Sequence, residues 1–274
     1  MIRKIFAQDL SATWKSLSST VGILMLVATV SLVISVLEVP VLGGIGLGVA
    51  IIAMIALTPI VLGILAENYW RTMYGREGYF TMIVPVTGRA LFTAKVLYGI
   101  AASLAAVVLT ALGLFACAAV FAQSVGQDVF EFLRLGLEQL GASMTWFFVG
   151  CVVLQLVYLV IVGAGIMSVG ARARFNHLGF GAPVIGAVLM YVAVTVVGFA
   201  AMLFVPLGAR LTGPDAGSFV AEGMFRTFVD EVAGGTSGEA PEVFGLGILL
   251  VSVAASCLFA WWGARSVQRH TSLR

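Results

Sequence analysis

Six long stretches of this 274-residue chain carry almost no charge, at roughly 21–37, 41–66, 96–122, 142–171, 178–207 and 243–264. The hydrocarbon core of a bilayer is about 30 Å thick, and a helix needs about 20 apolar residues to cross it. The first and last stretches just reach that length. The middle four have residues to spare for tilt, kinks or extension beyond the lipid. A water-soluble fold would have to bury all six, yet only 10% of the residues are charged and 61% are hydrophobic. The pattern predicts an all-α integral membrane protein with six transmembrane helices. Residues 21–274 then form one membrane domain, with no room for a soluble catalytic domain.

The segments between the stretches alternate in charge. The N-terminal arm carries Arg3, Lys4 and Lys15, the second loop Arg71, Arg76, Arg89 and Lys95, the fourth Arg172 and Arg174, and the tail Arg265, Arg269 and Arg274. On the opposite side the bases are Arg134, Arg210 and Arg226, set among Glu38, Asp128, Glu131, Glu138, Asp215, Glu222, Asp230, Glu231, Glu239 and Glu242. Twelve of the fifteen Lys and Arg residues thus share one side. The positive-inside rule places both termini and loops two and four in the cytoplasm. The net charge of +2 conceals this split and gives no sign of a nucleic-acid partner.

Residues 1–20 place Ile2, Ile5, Phe6, Leu10, Trp14 and Leu17 near helical period, with Arg3, Lys4, Gln8 and Lys15 between them. That pattern predicts an amphipathic helix in the cytoplasmic interface, with Trp14 at headgroup depth; an ordinary basic anchor accounts for it equally well. The first hydrophobic run lacks a small-residue cleavage site and reads as a retained helix. Outside, 128–140 puts Phe130, Leu133, Leu137 and Leu140 on one helical face, opposite Glu131, Arg134 and Glu138. The external loop 208–242 divides into a Gly/Pro turn, a short helix around 218–232 and a Gly-rich stretch. Its acidity suits a solvated surface, or contact with a partner or substrate. Pro59 predicts a kink in the second span. Gly43, Gly44, Gly46 and Gly48, and Gly163 with Gly165, suit close helix packing.

Enzymes and ion-coupled transporters in membranes keep ionisable groups at mid-depth despite their cost. No Asp, Glu, Lys, Arg or His lies deep in a predicted span; Glu38, Glu67 and Lys95 stand at ends. Gln155 is the costliest polar side chain within a span and predicts an interhelical hydrogen bond. His177 and His270 have no partner at metal-ligand spacing, so no metal site is expected. Cys117, Cys151 and Cys257 all fall inside spans, where a thiol is a small apolar filler. No Gly-x-x-x-x-Gly-Lys-Ser/Thr stretch occurs, so this chain carries no nucleotide site of that type. Internal repeats of the kind that build many secondary transporters are not visible.

The cytoplasmic segment 67–95 is too long for a tight turn and too aromatic for a solvated loop. Tyr69, Trp70, Tyr74, Tyr79 and Phe80 alternate with Arg71, Arg76 and Glu77. Gly75 and Gly78 allow tight bends, and Pro85 biases Val84 away from helix. Aromatic residues with arginine are what the core of a protein–protein interface favours, although a basic anchor with interfacial aromatics has the same composition. Tyr74-Gly75-Arg76-Glu77-Gly78-Tyr79-Phe80-Thr81, then Val84-Pro85-Val86-Thr87 and later Lys95, resembles the Tyr-Gly-x-Glu-Gly-Tyr-Leu-Thr … Leu-Pro-Val-Ser … Lys segment between the second and third spans of bacterial ATP-binding-cassette (ABC) permeases of the type-2 exporter class. The likeness is sharp over about 20 residues, departing at Phe80, Val84 and Thr87, and loose over the rest. The importer pattern Glu-Ala-Ala-x-x-x-Gly fits poorly, because Asn68 and Tyr69 follow Glu67.

The resemblance implies a permease subunit in a bacterial cell membrane, working with a separate cytoplasmic ATPase subunit and a second permease chain, identical or not. Tyr74, Gly75, Arg76, Glu77, Gly78, Tyr79, Phe80 and Pro85 would then form the ATPase dock. ATP and Mg would sit on the partner, with no cofactor bound here and no enzyme activity of its own. The charge-free spans suit export of a hydrophobic or amphipathic drug, peptide or lipid. The rival readings are a secondary transporter or channel-like protein, and a membrane scaffold or sensor subunit.

Overall fold

The computed structural model describes residues 2–37, 41–75, 77–83, 85–210, 218–225, 228–229 and 243–269. Six helices in it are long and apolar enough to cross a membrane, at Arg3–Val36, Leu42–Met73, Gly88–Ser124, Ala142–Gly170, Gly181–Phe204 and Gly247–Arg269. The chain divides into two compact units, residues 1–136 with 264–274, and residues 137–263.

The first unit is built on three helices: α1 (Ile2–Val36), α2 (Leu42–Met73) and α4 (Gly88–Ser124). A short α3 (Gly78–Ile83) lies between the last two. Ala50, Ala53, Leu57, Val61 and Leu65 on α2 recur at three- and four-residue steps, and pack with Ala28 of α1 and Tyr98 and Ala106 of α4. Helix axes approach closely where side chains are absent. A Cβ on Gly46 would lie 2.6 Å from the Ser31 carbonyl oxygen of α1. At mid-depth the Thr58 and Thr110 hydroxyls of α2 and α4 meet at 3.0 Å, and Thr110 also reaches the Met54 carbonyl at 3.3 Å. Such bonds hold apolar helices together in a bilayer, where lipid is as greasy as leucine. Helix α2 continues through Pro59.

Residues 2–36 form one helix, so the amphipathic stretch and the first hydrophobic run are continuous. The face that packs differs from the apolar face read in the sequence. Ile5, Asp9 and Thr13 are buried, whereas Leu10 and Trp14 are 41% and 62% exposed. Four-residue steps carry the 5–9–13 stripe straight along the helix, and polar side chains at 9 and 13 find partners inside.

In the second unit α6 (Ala142–Gly170) leads through a 3-10 turn at Ala173–Leu178 to α7 (Gly181–Phe204). Here α8 (Gly247–Arg269) contributes its residues up to 263. Gly165 of α6 sits 2.9 Å, by its absent Cβ, from the Phe259 carbonyl of α8. Gln155, read as an interhelical hydrogen-bonding group, is instead exposed at the middle of α6. Above α7 lies a small antiparallel sheet, ordered β2-β1-β3: β1 is Gly208–Arg210, β2 Phe219–Val220 and β3 Val243–Gly245. The short helix expected from residue 218 onward therefore begins as a strand, because Phe219 pairs with Ala209 and its ring meets Phe147 edge-on at 5.1 Å. Further along, Phe228 N–H donates to the Met224 carbonyl at 3.0 Å. The Gly-rich stretch of that loop lies outside the described residues. Helix α5 (Val129–Leu140) forms where the apolar face at 130, 133, 137 and 140 predicts it. Asp128 Oδ1 caps it, accepting from Phe130 N–H at 2.7 Å.

Candidate functional site

The apolar run of α2 ends at Ala66, but the helix continues seven residues further because nothing from Glu67 to Met73 breaks it. It stops at Gly75. The Tyr74 and Gly75 N–H groups both donate to the Trp70 carbonyl, at 2.9 and 3.0 Å. A Cβ at Gly75 would stand 2.8 Å from the Arg71 carbonyl oxygen, so glycine is what lets the chain leave here. Tyr74 turns inward, 3% exposed, with ring centroids 6.3 Å from Tyr69 and 5.5 Å from Trp70.

The chain then bends, Gly78 N–H donating to the Gly75 carbonyl at 2.9 Å. The Glu77 carbonyl accepts from Phe80 and Thr81 and opens α3. Gly78 is buried at its base. Tyr79, Phe80 and Ile83 are 63%, 75% and 67% exposed, three large side chains on one outward face of a single helical turn. Pro85 is exposed beyond them. Thr87 caps α4, its hydroxyl oxygen accepting from Ala90 N–H at 3.4 Å. Arg76 and Val84 lie outside the described residues. Glu77 pairs with Arg71 within this chain, Nε to Oε1 at 3.3 Å, with both side chains half exposed. Exposed pairs of this kind contribute about 0–1 kcal/mol.

The eight residues expected to form one dock thus divide. Glu77, Tyr79, Phe80 and Pro85 face outward, while Tyr74 and Gly78 are the buried base that holds them out. Such an arrangement displays an apolar ridge of Tyr79, Phe80 and Ile83.

Beneath the turn lies a cluster that sequence reading passed over. Lys95 Nζ of α4 donates to Asp9 Oδ1 of α1 at 2.7 Å and to Thr72 Oγ1 of α2 at 3.0 Å. Both charged side chains are almost fully buried, 4% and 6% exposed. The Thr72 hydroxyl donates onward to the Asn68 carbonyl at 2.7 Å. Thr13 donates to the Asp9 carbonyl at 2.8 Å, so its contact with the Tyr98 hydroxyl uses the tyrosine proton. The Phe6 ring closes the group edge-on against Tyr98 at 5.2 Å. Among the described residues the buried Asn68 Oδ1 has no hydrogen-bond partner. Lys95 is therefore not a solvated charge at a span end, and Asp9 is not a surface acid. The available signal was the spacing of Asp9 and Thr13, one turn apart on the stripe of Ile5.

Gly88, the first residue of α4, packs backbone to backbone on the last turn of α8. A Cβ there would be 2.8 Å from Gln268 Cα and 2.9 Å from its nitrogen. Gly88→Val is expected to destabilise the chain by about 1–3 kcal/mol, the usual cost of overpacking. Thermal unfolding in detergent, with Thr93→Val at an exposed position of the same helix as control, checks it; an unchanged melting temperature would mean the last turn of α8 yields freely.

Comparison with protein-family models, curated proteins and solved structures finds no match for this chain.

Proposed function

We propose that this chain is the permease subunit of an ATP-driven exporter in a bacterial cell membrane, moving a hydrophobic or amphipathic substrate. Both termini and the turn between α2 and α4 would be cytoplasmic, with residues 1–20 at the inner interface. A separate ATPase subunit would hold ATP and Mg and seat on α3. The observation that carries the reading is the exposed trio Tyr79, Phe80 and Ile83, held outward by a buried base at the join of two spanning helices. Aromatic side chains so displayed are the anchors that interface cores use. The motif resemblance in residues 74–87 points to the same class of partner.

A second permease chain belongs to this reading. Gln155 stands exposed halfway along α6, where a lone amide in lipid is costly. An interface with another copy, or a pathway between copies, would give it hydrogen-bonding partners.

Purification from the native membrane tests the whole: a separately encoded ATPase should accompany the chain, and the mass of the complex should contain two permease chains. A chain that purifies alone and active as a monomer would refute the assignment. Topology is checked separately in a variant freed of Cys117, Cys151 and Cys257. Gln127→Cys should react with an impermeant thiol reagent in intact cells, and Pro85→Cys should not. Both positions are exposed, so neither result is confused by burial. The reverse pattern would put α3 outside the cell and remove the ATPase dock.

A further inference from the structure

We infer that Asp9, Lys95 and Thr72 form the joint through which movement of α3 reaches α1, an inference that rests on the docking reading above. The two feet of the turn are Thr72 on α2 and Lys95 on α4, and the 3.0 Å bond between them closes it into a loop anchored at both ends. Asp9 then fastens that closed loop to α1 through the 2.7 Å ion pair. A load applied to Phe80 or Tyr79 therefore arrives at one buried point shared by three helices. The first apolar run of the chain begins three turns further along α1.

The chemistry of the joint separates this role from that of a plain staple. The cluster borders an apolar core of Leu65, Phe6 and Tyr98, where hydrophobic side chains would hold the helices together at no desolvation cost. Replacing a buried ion pair with well-packed apolar residues is often neutral or stabilising. What charge adds is geometry: the 2.7 Å bond has one seat, and α1 cannot slide past α4 without breaking it. Greasy contacts tolerate sliding. Packed elements with discrete seats are also what turn a small displacement into a switch between arrangements. Asp9, Lys95 and Thr72 are thus positioning residues, acting through one another across three helices.

The test uses the complete complex with its co-purified ATPase in lipid nanodiscs, driven by Mg–ATP. Asp9→Leu combined with Lys95→Met removes both charges at similar volume. Thr72→Val removes the link between the two feet, with the hydroxyl's bond to the Asn68 carbonyl of its own helix, and leaves the ion pair. Each variant should retain the ATPase on purification. Stimulation of ATP hydrolysis by the permease, relative to the ATPase alone, should fall by about 5–150-fold in the double variant, the span of ordinary coupling energies. Spin labels at Ser18 and Leu42 should report an ATP-induced change in α1–α2 distance in the parent and not in the double variant. Lys95→Arg, which keeps charge and donors, should preserve most of both signals.

A double variant that docks and stimulates like the parent overturns the inference and leaves the docking reading intact. Loss of docking in the double variant and in Thr72→Val alike would make the cluster part of the fold alone, and also overturns it. A parent chain that binds no ATPase overturns the docking reading, and the inference with it.

Discussion

Lys95→Met is expected to destabilise the chain by about 3–5 kcal/mol, the cost of leaving one member of a buried ion pair without the other. Asp9 would keep its carboxylate where its side chain is only 6% exposed, and Thr72 would lose the donor at 3.0 Å. Little solvent reaches the site to compensate, since both charged side chains are almost fully buried beside the Phe6–Tyr98 pair. Thermal unfolding in detergent measures the loss. The same scale should show Asp9→Leu with Lys95→Met recovering much of it, because the double variant buries no lone charge. If single and double variants unfold alike, the pair is not energetically coupled. Arg71 and Glu77 provide the contrast on the same turn: half exposed at 3.3 Å, they are worth about 0–1 kcal/mol, and breaking them should be nearly silent.

The six apolar helices were legible because a long run without charge has few folds open to it, and α5 because its apolar residues recur at helical period. What the sequence concealed is partly local and mostly non-local. Helix α2 overruns its apolar stretch by seven residues, since leaving the hydrophobic run does not end a helix; the conformational break at Gly75 does. The burial of Asp9 could not be read from its neighbours Gln8 and Leu10. Its partner is 86 residues away, and only the packing of α1 on α4 brings them together. Strand β2 is two residues long, too short for any alternation to show, and is defined by pairing with Gly208 and Ala209. Gln155 was misplaced for the opposite reason. Polarity in a span argues for a partner, but does not say that the partner lies in the same chain.

Within the candidate dock, the sequence marked a segment without ranking its residues, and burial supplies a ranking. Phe80→Asp is expected to weaken ATPase capture by about 30-fold or more, the effect of losing an interface anchor worth at least about 2 kcal/mol. Phe80 is 75% exposed and Tyr79 63%, so neither holds up the fold of the free chain; Phe80→Asp removes the contact area of the ring and sets a charge in its place. Gly78 is buried at the foot of α3, so Gly78→Arg should impair capture by tilting the helix, and should lower the melting temperature as well. Glu77→Ala should cost far less than Phe80→Asp, because the carboxylate has Arg71 for a partner before any ATPase arrives. The ordering is the informative result. Titration of ATPase onto detergent-purified variants measures it, with unfolding temperature recorded alongside. An unchanged affinity for Phe80→Asp, set against a loss for Glu77→Ala, would place the contact on the charged edge of the turn. Equal affinity for all three would leave α3 as an interfacial anchor whose aromatic side chains rest in lipid headgroups, and would remove the support for an ATPase partner.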